Sequence, residues 1–126
     1  MKLAVVVQRY GSDINGGAEL HARYIAEHLA KHAEVEVLTT CARDYVSWKN
    51  EFAPGEDRVG NLLVRRFPVR HPRDPLIFGR WSHQVFEHRH SVAHELAWLE
   101  SEGPTSPRLI RYLRKNASDY DFFLFF

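Results

Sequence analysis

The segment with the most chemical content is Gly11-Ser-Asp-Ile-Asn-Gly-Gly-Ala-Glu19, which lies between an apolar run and a helical pattern. Glycines there let a backbone approach a ligand closely, and the free amide hydrogens of a helix's first turn carry partial positive charge, so the segment is a candidate anion cradle. Spacing narrows what it could cradle. Gly11 and Gly16 match the glycines of a P-loop, but Gly17 and Ala18 stand where Lys and Ser/Thr would pair the phosphate and Mg²⁺. A dinucleotide fingerprint is missing too, because the two glycines are five apart and Leu38-Thr39-Thr40 closes the second strand without an acid. Neither an NTPase nor an NAD enzyme is expected. The purely structural alternative stays open: Gly16-Gly17 lets the chain turn tightly into the helix.

Other reactive residue types carry less. His28/His32 and His90/His94 have the i, i+4 spacing of one helix face, yet Glu95 follows the second pair instead of following its first histidine as in a zinc protease, and no third ligand is assignable. No metal site is expected. Cys41 follows the second strand; as the single cysteine it cannot form an internal disulfide, and a small buried hydrophobe is its expected fate. Residues 65–90 hold six arginines (65, 66, 70, 73, 80, 89) and four histidines (71, 83, 88, 90) against Asp74 and Glu87. With Leu76, Phe78, Trp81 and Phe86 interleaved, this stretch suits peripheral contact with a membrane or an anionic lipid, while local charge pairing and ordinary core packing account for the same residues.

The elements that must position these residues follow from periodicity. Lys2–Gln8 is β-branched without alternation, a strand covered on both faces and expected at the centre of a parallel sheet. Ala18, Ala22, Ile25 and Leu29 fall on one face of a helix over 18–32, and Glu34–Thr40 is a second strand. Residues 41–60 read as loop with a short helical turn near 45–50, and Asn61–Pro68 as a third strand. Pro72-Arg-Asp-Pro75 restarts the chain into helices near 75–88 and 91–101. Ser106-Pro107 opens another helix to about Ala117, and Asp121–Phe126 is a buried strand. The expectation is one α/β domain with a Rossmann-like, doubly wound, mostly parallel sheet.

The sequence resembles the N-terminal domain of glycosyltransferase family 4, enzymes of the GT-B fold, over essentially all of its length. The residues that carry the likeness are Lys2–Gly11, Asn15-Gly-Gly-Ala-Glu19, Val35–Cys41, Val64-Arg-Arg-Phe-Pro68, Gly103-Pro-Thr-Ser-Pro107 and Tyr120-Asp-Phe-Phe123. The paired glycine after the first strand is the most specific of them. The resemblance implies a lobe that faces a second lobe across a cleft, and transfer of a sugar from a nucleoside diphosphate to an acceptor hydroxyl, with retention and with no cofactor or obligatory metal. It also implies that Gly16 and Gly17 face the donor diphosphate and the sugar. Tyr10, Asn15 and Glu19 flank the loop as candidate acceptor or sugar contacts, with Glu19 alternatively a first-turn acid of its helix. The second lobe, with the family's donor-binding glutamates, is not in this sequence. A chain stopping on an apolar strand, where the next site loop should begin, reads as a truncated acceptor-side lobe, inactive alone and prone to pair as a homodimer. The alternative function is a non-catalytic α/β binding or assembly module that uses the same glycine turn.

Composition bounds these readings. The chain has 126 residues, 44% hydrophobic and 26% charged, with 17 Lys+Arg against 16 Asp+Glu, as in one globular domain. Its first 64 residues hold 7 basic and 9 acidic side chains, and the remainder 10 and 7. The near-neutral balance and scattered arginines fall short of a nucleic-acid-binding stripe. One cysteine and an N-terminal apolar run too short for a signal peptide point to the cytoplasm.

Overall fold

The structure, a computed structural model, describes residues 1–126. Its strands are β1 (Lys2–Val6), β2 (Glu34–Thr40), β3 (Gly55–Val59), β4 (Leu62–Phe67) and β5 (Phe122–Phe125), and its helices α1 (Gly17–Leu29), α2 (Pro75–Glu87), α3 (Val92–Glu102) and α4 (Pro107–Asn116). The strands form one mixed sheet in the order β3-β4-β2-β1-β5. β1 runs parallel to both β2 and β5, and β2 parallel to β4. β3 alone is antiparallel, on the edge beside β4.

Two-sided burial explains the unbroken apolar runs of β1 and β2. Leu3, Val5, Val7, Val35, Val37, Leu62 and Val64 gather with Ala22 and Ala26 of α1, whereas Ala4, Val6 and Leu38 gather with Tyr120 and with Leu109, Tyr112 and Leu113 around α4. Successive residues of a strand point to opposite faces, so α1 covers one face and α4 the other. The small Ala22 and Ala26 let α1 lie close to the sheet. The arrangement is α/β and compatible with a Rossmann-like fold.

Several expectations need correction. β1 is an interior strand, as its burial requires, but the central place belongs to β2. Part of the segment read as loop is β3, which has no apolar signal because it is an exposed edge strand. Val59 pairs with Leu62, leaving Gly60-Asn61 as the turn of a hairpin, and Gly60 adopts a φ of +60° there. On α1 the sheet-facing stripe passes through Glu19 instead of Ala18: Glu19 is buried and Ala18 exposed.

The apolar residues of 75–101 are not ordinary core, since neither α2 nor α3 has a buried residue. These helices form a hairpin that packs chiefly on itself: Trp98 meets Phe78 and Phe86, and its Nε1 donates to Ser82 Oγ at 3.0 Å. Leu76, Ile77, Phe86, Val92, Leu96 and Leu99 are left exposed. Trp48 ties the hairpin to the domain, donating from Nε1 to the Glu102 carbonyl at 2.8 Å. No helix is long and apolar enough to cross a membrane.

Candidate functional site

The glycine loop lies beyond the carboxyl end of β1 and is held on several sides. Arg66 donates to the Tyr10 carbonyl at 2.7 Å, Arg23 to the carbonyls of Gly11 and Ser12 at 3.0 and 2.7 Å, and Arg43 pairs with Asp13. Beneath the loop, Arg9 Nε donates to Glu19 Oε1 at 2.8 Å, and another nitrogen of the same guanidinium donates to the Arg43 carbonyl at 3.0 Å. Both members of the Arg9–Glu19 pair are buried. Such a pair costs desolvation and is retained only with good geometry, so it fixes the loop against α1 more than it adds stability.

This pair dictates Gly16. A Cβ there would stand 2.2 Å from Glu19 Oε2 and 2.8 Å from an Arg9 nitrogen, so the buried ion pair occupies the space of a side chain. Gly17 is different. A Cβ at Gly17 would meet nothing within 4 Å, and its φ is not positive, so neither packing nor backbone conformation asks for glycine. Gly16 is the N-cap of α1 and provides no side-chain acceptor, while the Glu19 carboxylate that could have capped the helix is turned to Arg9. The amides of Gly17, Ala18 and Glu19 thus find no acceptor within the chain. They form a positive turn beside a residue with no side chain in the way.

A cleft lies at the same end of the sheet. Between the carboxyl ends of β1 and β5 lies a space of about 330 Å³, lined by Gln8, Thr40, Gly103, Ser106, Phe125 and Phe126 among others. From β1 the chain passes to β2 on one side and returns in β5 on the other, and in open α/β sheets this reversal is where ligands bind. His21, one turn after Gly17 on the same face of α1, packs edge-on against Phe126 with ring centroids 5.3 Å apart. Through that contact α1 touches a residue of the cleft lining, although the glycine turn itself does not line the cleft. Thr40 Oγ1 donates to the Gln8 carbonyl at 2.6 Å, and Ser106 donates to the Pro68 carbonyl at 2.9 Å while capping α4. The segment 103–106 had no site role from spacing. Only the return of the chain beside β1 brings it to the strand ends.

The remaining candidates separate. Asn15 is exposed on the loop. Tyr10 is 1% exposed and sits in the core cluster with its hydroxyl unpartnered, so it offers no side chain to an acceptor or sugar; burial pushes its phenol up to about 12. Glu19, spent on Arg9, is likewise withdrawn from ligand contact in this conformation. Cys41 is buried, and burial raises its thiol above the ordinary value. In 65–90, Arg65 pairs with Glu36 and Glu56, Arg66 with Asp57, and Arg70 with Glu100, while Arg73 bonds the Glu102 carbonyl. Only Arg80 and Arg89 make no such bond. A depression of about 450 Å³ on α2 and α3, lined by Ile77, Arg80, Trp81, Gln84 and His94, lies on the hairpin and away from the strand ends.

A second buried polar network lies toward the opposite end of the sheet. Glu36 accepts from Tyr120 at 2.6 Å and from Arg65 at 3.0 Å, and pairs with Lys2 at 2.8 Å. Burial pushes its carboxyl up, but these donors prevail and hold it at about 2. With every carboxylate oxygen paired, Glu36 is a structural anchor that ties β2 to β1, to β4 and to Tyr120 just before β5. No protein-family model, curated protein or solved structure matches the chain.

Proposed function

We propose that this chain is the acceptor-side, N-terminal lobe of a nucleotide-sugar glycosyltransferase of the GT-B type, with helices on both faces of its sheet as in a doubly wound domain. One observation carries the reading: Gly17, which nothing within the chain requires to be glycine, stands at an uncapped helix N-terminus beyond the carboxyl end of β1, the strand at which the chain reverses. Glycine at a helical position is less favourable than alanine by up to about 1 kcal/mol, so its presence is best explained by something that approaches from outside. The chemistry such a turn supplies is electrostatic. The amides of Gly17 and its neighbours donate hydrogen bonds to the negative charge that develops on a departing diphosphate, and an exposed Cβ would hold the phosphate away. The sugar passes to an acceptor hydroxyl without a resident cofactor.

The test is turnover of nucleotide sugars by the full-length protein, wild type against Gly17→Val. A drop of about a hundredfold or more with the fold intact is expected, since the valine side chain holds the phosphate off the amides and one such donor is worth about 10²–10³ in turnover. Unchanged turnover removes the role. A second reading, a non-catalytic binding or assembly module, is favoured by one fact: the loop's Glu19 is consumed by Arg9, so it provides no acid or base to a reaction. Nucleotide-sugar binding without turnover in the full-length protein selects that reading.

A further inference from the structure

Helix α4 carries Arg108, Arg111, Arg114 and Lys115 and no acid. None of these four side chains makes an ion pair or hydrogen bond within the chain, unlike most of the arginines elsewhere. Arg114 and Lys115 suit the negative end of the helix dipole, but Arg108 lies in the first turn, where a cation is disfavoured. Arg108, Arg111 and Lys115 also follow one another at i, i+3 and i+7, a like-charged row that repels along one face. Packing does not ask for this row, because α4 is held by its Ser106 cap and by Leu109, Tyr112 and Leu113 against the sheet.

The row lines a groove. Arg66, Phe67, Arg108, Arg111, Tyr112 and Lys115 face a space of about 520 Å³ at the carboxyl end of β4, and no carboxylate lines it. A smaller depression of about 360 Å³ shares Arg108 and Arg111 and adds Arg70. The wall is built. The Phe67 and Tyr112 rings lie 5.1 Å apart and tilted by 48° as its apolar side, while the Arg66 guanidinium, its side chain 1% exposed, is turned to Asp57 and the Tyr10 carbonyl. The volume falls within the range of small-molecule clefts.

We propose that this groove binds a phosphorylated small molecule, its phosphate held by Arg108, Arg111 and Lys115 and its body resting on Phe67 and Tyr112. Guanidinium forks match phosphate oxygens two at a time, and an anion there offsets the repulsion between the like charges of the row. Nucleic acid fits less well, because the cations are gathered in one concavity. The groove lies across α4 from the cleft at β1 and β5, so the inference stands whether or not the glycine turn serves a sugar nucleotide.

Calorimetry of the 126-residue chain with sodium pyrophosphate at ~0.1 M salt tests it, with vesicles of phosphatidic acid in phosphatidylcholine as a second arm. Submillimolar pyrophosphate binding is expected, weakened about tenfold by Arg111→Glu and less than about threefold by Arg114→Glu, which makes the same charge change outside the groove. If Arg111→Glu does not fold, Arg108→Gln with circular dichroism as the fold check takes its place. Pyrophosphate that releases the chain from the vesicles identifies a lipid headgroup as the source of the phosphate, and pyrophosphate binding without vesicle binding identifies a soluble ligand; both support the site. Absent pyrophosphate binding, or equal losses from Arg111→Glu and Arg114→Glu, overturns it.

Discussion

Gly16 and Gly17 differ in what a side chain would meet, and that difference separates stability from function. At Gly16 a methyl group collides with the buried Arg9–Glu19 pair, so Gly16→Ala should lower stability by about 1–3 kcal/mol, read as a shift in the urea midpoint. Gly17→Ala meets open space and should leave stability unchanged or raise it by up to about 1 kcal/mol. A Gly17→Ala chain as destabilised as Gly16→Ala would mean that the second glycine also serves packing, and the argument for an outside ligand would fall. The Glu36 anchor yields a pH prediction. Its carboxyl titrates at about 2, below the ordinary value of 4.5, so the stability it contributes is fully present above about pH 4.5 and is lost as pH falls toward 2. That loss is on the order of 2–3 kcal/mol and should be absent in Glu36→Gln, measured as urea midpoints between pH 5 and 2.5. Parallel pH profiles for the two proteins would remove the assignment.

At the scale of elements, caps divide helices that hold the domain from helices that hang on it. Asp74 caps α2 by accepting from the Leu76 and Ile77 amides at 2.9 and 3.3 Å, and Ser106 caps α4 while reaching the Pro68 carbonyl. Each cap is worth about 1 kcal/mol. Because α2 packs chiefly on α3, Asp74→Ala should speed hydrogen exchange across 75–102 with little change in the global midpoint. Ser106→Ala acts on a helix that covers the sheet, so it should shift the global midpoint by about 1 kcal/mol. If both mutations move the midpoint equally, the hairpin is not an independent unit. The helix boundaries were legible where Pro72-Arg-Asp-Pro75, Gly103-Pro104 and Ser106-Pro107 are local stop and start signals. β3 was not: Gly55–Val59 is polar, and only its pairing with β4 makes it a strand.

For the whole molecule, a lone lobe lacks the closure that assembles a transfer site, so the proposed function predicts only millimolar affinity of the 126-residue chain for nucleotide sugars and no turnover. Calorimetry giving micromolar affinity would place the nucleotide site within this chain. β5 is an edge strand with Phe122 60% and Phe125 69% exposed, an apolar rim suited to pairing with a second copy. Sedimentation should therefore show concentration-dependent association that Phe125→Lys weakens, and a strictly monomeric wild type at high concentration would count against this edge as an interface. Periodicity and local punctuation alone determined the α/β class, four of the five strands, every helix and the glycine turn, because each is written in residues close together along the chain. The tertiary structure decided the rest, because contacts between residues far apart leave no trace in spacing: Arg9 claims Glu19, the core swallows Tyr10, 103–106 returns to the ends of β1 and β5, and the cations of α4 are set against β4.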